Sequence, residues 1–352
     1  MGETGIEMKK IFAWLGPNNT ILIAYFLLML GIFAVYGVRF KLDHFKLWTI
    51  LLSTLFVVYF TTTITHHLKT KAQLGRGDPP RHHTIGGQER SPTIGAGAEP
   101  RPYETDTLNN SFLFFAWRQL WRFIADWFPL VALVTIYENL REYTGIIRTD
   151  QIDAALMKAD IWLFGVEPTV WIQQFTHPLL TEYFAFTYST YLVLPIALGW
   201  YLYACKRFRE YHTLTTGLIL CLCIGYLLYL TFPAGPPRFF IPEMFDPPQL
   251  VGYFGFYNSM QSRFDAVNPM MYRASFPSLH VGLSSVAFYF AVRYRNVIPL
   301  GKVIQVVVGV IAVSLWIATV YLRHHWIVDI FAGWALALFA CRAGEWVQKK
   351  FN

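Results

Sequence analysis

Of the 352 residues, 55% are hydrophobic, 18% aromatic and only 14% charged, which excludes an ordinary soluble globular domain and reads as a polytopic membrane protein. The net charge of +7 does not point to nucleic acid, because the basic residues are scattered between apolar runs and form no continuous stripe. Cys205, Cys221, Cys223 and Cys341 lie within or at the ends of apolar spans, so no disulfide framework is visible and they read as small packing residues.

Taken in order, Lys9 and Lys10 precede an apolar run over about 21–38, near the roughly 20 residues that a spanning helix needs. No small-residue cleavage site follows it, so it reads as an uncleaved first span. A second run over about 47–65 comes after a basic turn with Arg39, Lys41 and Lys46, and the two make an N-terminal transmembrane hairpin, 1–65. Residues 66–110 change to Gly, Pro, Arg and Thr, with too few large apolar side chains to offset the entropy of ordering, and predict a disordered polar loop. Its histidine pairs, His66–His67 and His82–His83, lack spaced Cys or carboxylate partners and read as solvated.

Residues 111–352 read as a six-helix catalytic membrane domain. The aromatic stretch 112–123, with Arg118 and Arg122 at helical spacing, suits an interfacial helix leading into a span over about 123–140. The segment 145–178 carries Asp150, Asp153, Lys158 and Asp160, is too polar to cross alone, and predicts short helices at the membrane surface. Further spans are expected over about 179–205, 214–232, 276–292, 303–321 and 326–347. The fold class is therefore all-α integral membrane, with about eight transmembrane helices: the hairpin plus a six-helix core.

Ionisable groups between spans are expensive in a bilayer and mark working sites. The junction Tyr321–Asp329 holds Arg323, His324, His325 and Asp329. If the chain is helical there, His325 and Asp329 are one turn apart on one face, a base with its orienting acid. With eight spans this junction lies on the same side as the loop 233–275, which opens Phe232-Pro-Ala-Gly-Pro-Pro-Arg238 and ends Ser275-Phe-Pro-Ser-Leu-His280. Three polar motifs thus converge on one face.

Pro277 suits the first turn of a helix, and the free N–H groups around Ser278 form an anion site reinforced by the helix dipole. His280, one turn on, faces His325 across a bound group, while Arg238, Arg273 or Arg323 neutralises phosphate oxygens. Two histidines flanking a phosphate, one backed by a carboxylate, perform covalent phosphoryl transfer: His325 attacks phosphorus and His280 protonates the departing oxygen. The scheme requires no metal and no cofactor. A metal site of His280, His324, His325 and Asp329 is disfavoured, because adjacent histidines point apart and rarely both ligate.

These residues resemble the type 2 phosphatidic acid phosphatase superfamily of membrane phosphoesterases, over the six spans from about Phe112 onward. Pro277-Ser278-Leu279-His280 is similar to the family's second motif, and His325 with Asp329, followed by Ala332 and Gly333, to the end of its third. The resemblance implies His325 as nucleophile, Asp329 as its orienting partner, His280 as the acid that releases the leaving group, and the Ser278 region as phosphate cradle. The chain departs from most of the hydrolases: Ala318 and Thr319 stand where their third motif has Ser-Arg, and the first motif with its Lys and Arg-Pro is missing. The arginine that binds phosphate is thus left open among Arg238, Arg273 and Arg323. The same departures resemble the inositol phosphorylceramide synthase branch, through Phe232-Pro233-x-x-Pro236-Pro237, the pair His324-His325, and Asp160-x-x-Leu163-Phe164-Gly165-x-x-Pro168.

That branch implies transfer of a phosphorylated headgroup to a lipid hydroxyl, with a membrane lipid as substrate; hydrolysis differs only in that water attacks the phosphohistidine. A non-enzymatic transporter or scaffold is the reading of another class, and the chain shows no internal repeat of the kind many transporters carry. Under eight spans, 19 of the 29 basic residues fall on the side of both termini. The positive-inside rule then puts the termini in the cytoplasm and the histidines toward the periplasm, the exterior or a lumen.

Overall fold

The structure, a computed structural model, describes residues 3–37, 57, 61, 102–265 and 273–351. The chain packs as two units, residues 1–44 with 129–352 and residues 45–128. In the second unit the first part of a long helix stacks Phe123 on Trp127, ring centroids 6.0 Å apart. The predicted span over 47–65 and the loop residues 66–101 lie outside the described residues, apart from Val57 and Thr61.

Twelve α-helices are described: α1 (Glu3–Val35), α2 (Pro102–Ile147), α3 (Asp153–Phe164), α4 (Pro168–Trp171), α5 (Pro178–Ser189), α6 (Val193–Ala204), α7 (Phe208–Thr231), α8 (Pro237–Phe240), α9 (Phe256–Asp265), α10 (Leu279–Tyr294), α11 (Gly301–Tyr321) and α12 (Ile327–Phe351). Among the described residues every regular element is helical, and the apolar helices make this an integral membrane protein. Among the described residues four helices are long and apolar enough to cross a bilayer: Gly16–Val35, Phe208–Thr231, Gly301–Tyr321 and Ile327–Phe351. The first begins at a kink where Gly16 takes φ 72° before Pro17, a backbone that glycine adopts without steric cost.

Three expectations are corrected. Residues 102–110, assigned by composition to the polar loop, are helical, and the interfacial segment and span expected over 112–140 form the single helix α2, which continues through Pro129. The span expected over 179–205 is two helices, α5 and α6, parted at Thr190–Leu192. There the Thr187 carbonyl accepts both the Thr190 N–H and the Thr190 hydroxyl, a side-chain competition that interrupts helices. Finally, α10 starts at Leu279 rather than at Pro277; Ser278 is its cap, its Oγ accepting the Val281 N–H at 3.4 Å. The short helices predicted over 145–178 are α3, α4 and a 3₁₀ turn at Ile172–Phe175.

Helix α10 is the centre of the larger unit and packs against α7, α11 and α12. Small residues allow the close crossings. A Cβ on Gly333 of α12 would sit 2.6 Å from the Ser278 carbonyl oxygen, and one on Gly344 would sit 3.0 Å from the Gly217 nitrogen of α7. At the end of the bundle away from Ser278, Arg207 Nη2 donates to the Val297 carbonyl at 2.9 Å and Arg293 pairs with Glu345 at 3.3 Å. At that end too, Asn18 of α1 donates to Thr215, and Gln348 of α12 to Thr216.

Candidate active site

Helix α11 ends at Tyr321 in a tight turn: Arg323 takes φ 61°, and the N–H groups of His324 and His325 both donate to the Thr319 carbonyl, at 2.9 and 3.1 Å. Before α12 begins at Ile327 the two imidazoles take different partners, His324 meeting Arg238 and Tyr188 and His325 meeting Asp329. His325 Nδ1 lies 3.1 Å from Asp329 Oδ2, which also accepts the Trp326 N–H at 3.1 Å. A carboxylate only accepts, so Nδ1 carries the proton and Nε2 holds the lone pair. His325 is 3% exposed and Asp329 0%. Burial lowers the His325 ring to about 3; a hydrogen bond to the Ser275 backbone opposes this and the Arg238 charge adds to it. The resting imidazole is neutral.

His280 rises from the first turn of α10, its ring centroid 5.5 Å from that of His325. The α10 terminus is tied to the histidine helix, since the Ser278 N–H donates to the Asp329 carbonyl at 3.0 Å. The Ser278 hydroxyl is buried and occupied as the cap.

The three arginines go to different places. Arg238 Nη1 lies 2.9 Å from His324 Nδ1 and 3.3 Å from Gln261 Oε1, and the Arg238 N–H donates to the Arg323 carbonyl at 3.3 Å. Arg273 Nη1 donates to the carbonyls of Arg148 and Thr149, both at 3.1 Å. Arg323 Nη1 donates to the Pro248 carbonyl at 3.0 Å, and its guanidinium lies 4.1 Å from the centroid of the Phe245 ring. The structure therefore brings His280, His324, His325, Asp329 and Arg238 together, and turns the guanidinium groups of Arg273 and Arg323 toward backbone carbonyls at the edge of the cluster.

Two residues not anticipated from the sequence stand in the cluster. The ring of Tyr188 stacks on His280 with centroids 4.2 Å apart and on His324 at 4.5 Å, and Tyr191 lies 4.2 Å from His280. Both tyrosines flank the break between α5 and α6. The signal for them was the run Thr187-Tyr-Ser-Thr-Tyr191, five hydroxyl-bearing residues in a row inside an otherwise apolar stretch. Burial, together with the positive charge of Arg238, holds His324 well below its ordinary range. Among the described residues no group of three or more His, Cys, Asp or Glu side chains is arranged to hold a metal.

The buried imidazole of His325, bonded to a carboxylate, faces the half-buried imidazole of His280 on the neighbouring helix, with the guanidinium of Arg238 in the same cluster, which puts a base, an acid and an anion-attracting cation in one place. Residues 154–343, more than half of the chain and all of α4–α11 with the histidine turn, match the family model of the PAP2 superfamily. The chain belongs to that superfamily and is an enzyme of the type 2 phosphatidic acid phosphatase class. It is similar to the phosphoinositol dihydroceramide synthase of Bacteroides thetaiotaomicron, 28% identical over 163 residues, 43% of this chain and 51% of the relative. The chain thus spans about half the length of that curated relative. No solved structure matches it.

Proposed function

We propose that this enzyme transfers a phosphorylated headgroup from a membrane phospholipid to a lipid hydroxyl through a phosphohistidine on His325. His325 Nε2 attacks phosphorus, the bond from phosphorus to the lipid alkoxide breaks, and His280 gives its proton to that oxygen. His280 then takes the proton of the acceptor hydroxyl, whose oxygen attacks the phosphohistidine and releases His325. Attack needs about 3–3.5 Å between reacting atoms and the acid within roughly 3 Å of the leaving oxygen, and support comes from the two rings standing side by side, centroids 5.5 Å apart. Asp329 stabilises the imidazolium that forms. Arg238 is the guanidinium placed to meet the phosphate oxygens, with His324 held beside it by Tyr188. The observation that carries the reading is the buried His325–Asp329 pair facing His280.

The name of the relative makes a phosphoinositol-bearing phospholipid and a dihydroceramide the first donor and acceptor to offer. Support for transfer over hydrolysis comes from the Pro-rich first motif and the paired histidines. We place the site on the side of the membrane away from the basic end of the bundle, in an eight-span topology. The test is incubation of purified protein with a lipid extract and mass analysis of which phospholipid falls and what replaces it. A new headgroup-bearing lipid, absent with His325→Ala, is expected. Release of free phosphate or headgroup alone would make the enzyme a lipid phosphate hydrolase, and retained turnover in His325→Ala would remove the nucleophile.

A further inference from the structure

The motif Asp160-x-x-Leu163-Phe164-Gly165-x-x-Pro168 takes no part in the chemistry above, yet each polar or turn residue in it has a definite place. Gly165 closes α3 at φ 74°, and Pro168 opens α4 behind Glu167, whose side chain accepts the Thr169 N–H. The outward residues of the segment are apolar and exposed, Trp162 at 82%, as suits a helix lying in the membrane interface. The inward face is the opposite. Asp153 and Asp160, seven residues and so two turns apart on one side of α3, are 1% and 0% exposed.

Both carboxylates reach the catalytic loops. Asp160 Oδ2 accepts the Ile327 N–H at 2.7 Å and its Oδ1 accepts the Val328 N–H at 2.9 Å. Asp153 Oδ1 accepts the Gly235 N–H at 2.9 Å and the Trp326 indole N–H at 3.3 Å. The Ile152 N–H donates to the Pro233 carbonyl at 3.0 Å. One short helix therefore pins the Pro-rich loop and the histidine turn to each other. Burial raises both carboxyl groups, and the backbone bonds pull them back.

The first N–H groups of a helix have no partner within it and draw anions. In α12 the nearest candidate is Asp329, in the third position of the same helix, where acidic side chains commonly turn back to cap. An Asp329 that turned further back to bond Ile327 or Val328 would rotate its carboxylate and disturb the geometry that holds Oδ2 3.1 Å from His325 Nδ1. Asp160 fills both N–H groups from 167 and 168 residues away in the chain, so these two N–H groups draw nothing from Asp329, whose carboxylate accepts the Trp326 N–H. We propose that Asp160 is a positioning residue: by capping α12 from α3 it reserves the Asp329 carboxylate for His325, with Asp153 fixing the adjoining turn through Gly235 and Trp326.

The proposal rests on His325 as the nucleophile, so its test has a readout independent of turnover. Asp160→Asn keeps the shape, but its amide accepts one N–H and opposes the other. Hydrogen exchange over residues 326–330 should accelerate in Asp160→Asn at unchanged protection of α7 and α10. In the lipid assay kcat should fall about 10²-fold, the scale of an ångström-sized misplacement, with KM for the donor lipid within about threefold of the parent, and Asp160→Glu should regain part of the loss. With a radiolabelled donor, Asp160→Asn placed in an Asp329→Asn background should add little, because the partner it protects is already lost. Unchanged exchange over 326–330, an unchanged kcat, or a full additional loss in the Asp329→Asn background would overturn the proposal. Retained activity in His325→Ala would fail the functional reading while leaving the exchange result to decide the cap.

Discussion

Replacement of Asp329 by asparagine is the sharpest test of the histidine–carboxylate pair. The carboxylate is fully buried and its Oδ2 serves two donors, His325 Nδ1 and the Trp326 N–H, each at 3.1 Å. In the proposed mechanism the His325 ring becomes cationic as it attacks phosphorus, and a unit charge of opposite sign 3.1 Å away stabilises it by about 5 kcal/mol at an effective dielectric near 20. Asparagine removes that charge, and if its amide nitrogen faces the ring it also enforces the wrong tautomer. A loss of 5 kcal/mol corresponds to roughly 10⁴ in rate, the same scale as the equivalent change in a serine protease triad. The assay is headgroup transfer in mixed micelles at saturating donor, with variant and parent matched for folded protein by size exclusion. We expect kcat to drop by about 10³–10⁴-fold, with little change in KM. A variant within tenfold of the parent would refute the claim that Asp329 charges the nucleophile's environment.

Gly333→Ala should destabilise the α10–α12 crossing by about 1–3 kcal/mol, since the new methyl would meet the Ser278 carbonyl at 2.6 Å; a thermal midpoint equal to that of the parent would mean the helices are farther apart than described. Tyr188→Leu removes two ring contacts, on His280 and His324, worth about 0.5–1.5 kcal/mol each, and kcat is expected to fall roughly 5- to 100-fold, a result excluded if turnover is unaltered. The His325 ring, lowered by burial to about 3, should be only about 1% protonated at pH 5; NMR of ring-labelled histidine that finds it titrating near its ordinary value contradicts this. For topology, an impermeant thiol reagent on intact cells should label a cysteine placed at Asn258 and spare one placed at Gly87, and the reverse pattern would invert the arrangement.

The sequence by itself determined what depends on neighbours within a turn or on composition. The apolar spans of α7, α11 and α12 were legible because each is long enough to cross a bilayer. The His325–Asp329 contact was expected from helical spacing, yet His325 lies in the turn before α12, and the contact forms because that turn brings its ring back to Asp329 in the first turn of the helix. The break between α5 and α6 was not anticipated, since mean hydropathy over 179–205 hides a short run of hydroxyl side chains that bond the backbone. Tertiary structure alone decided which arginine stands in the cluster. Arg238, Arg273 and Arg323 are alike as residues, and they differ only in what surrounds each guanidinium: His324, the carbonyls of Arg148 and Thr149, or Pro248 with Phe245. It also decided the use of Tyr188 and of Asp160, whose partners lie 136 and 167 residues away along the chain for His324 and Ile327. Short-range periodicity fixes the direction of a side chain relative to its own helix, whereas its partner is fixed by how the helices cross, and small residues such as Gly217, Gly333 and Gly344 set those crossings through backbone contact.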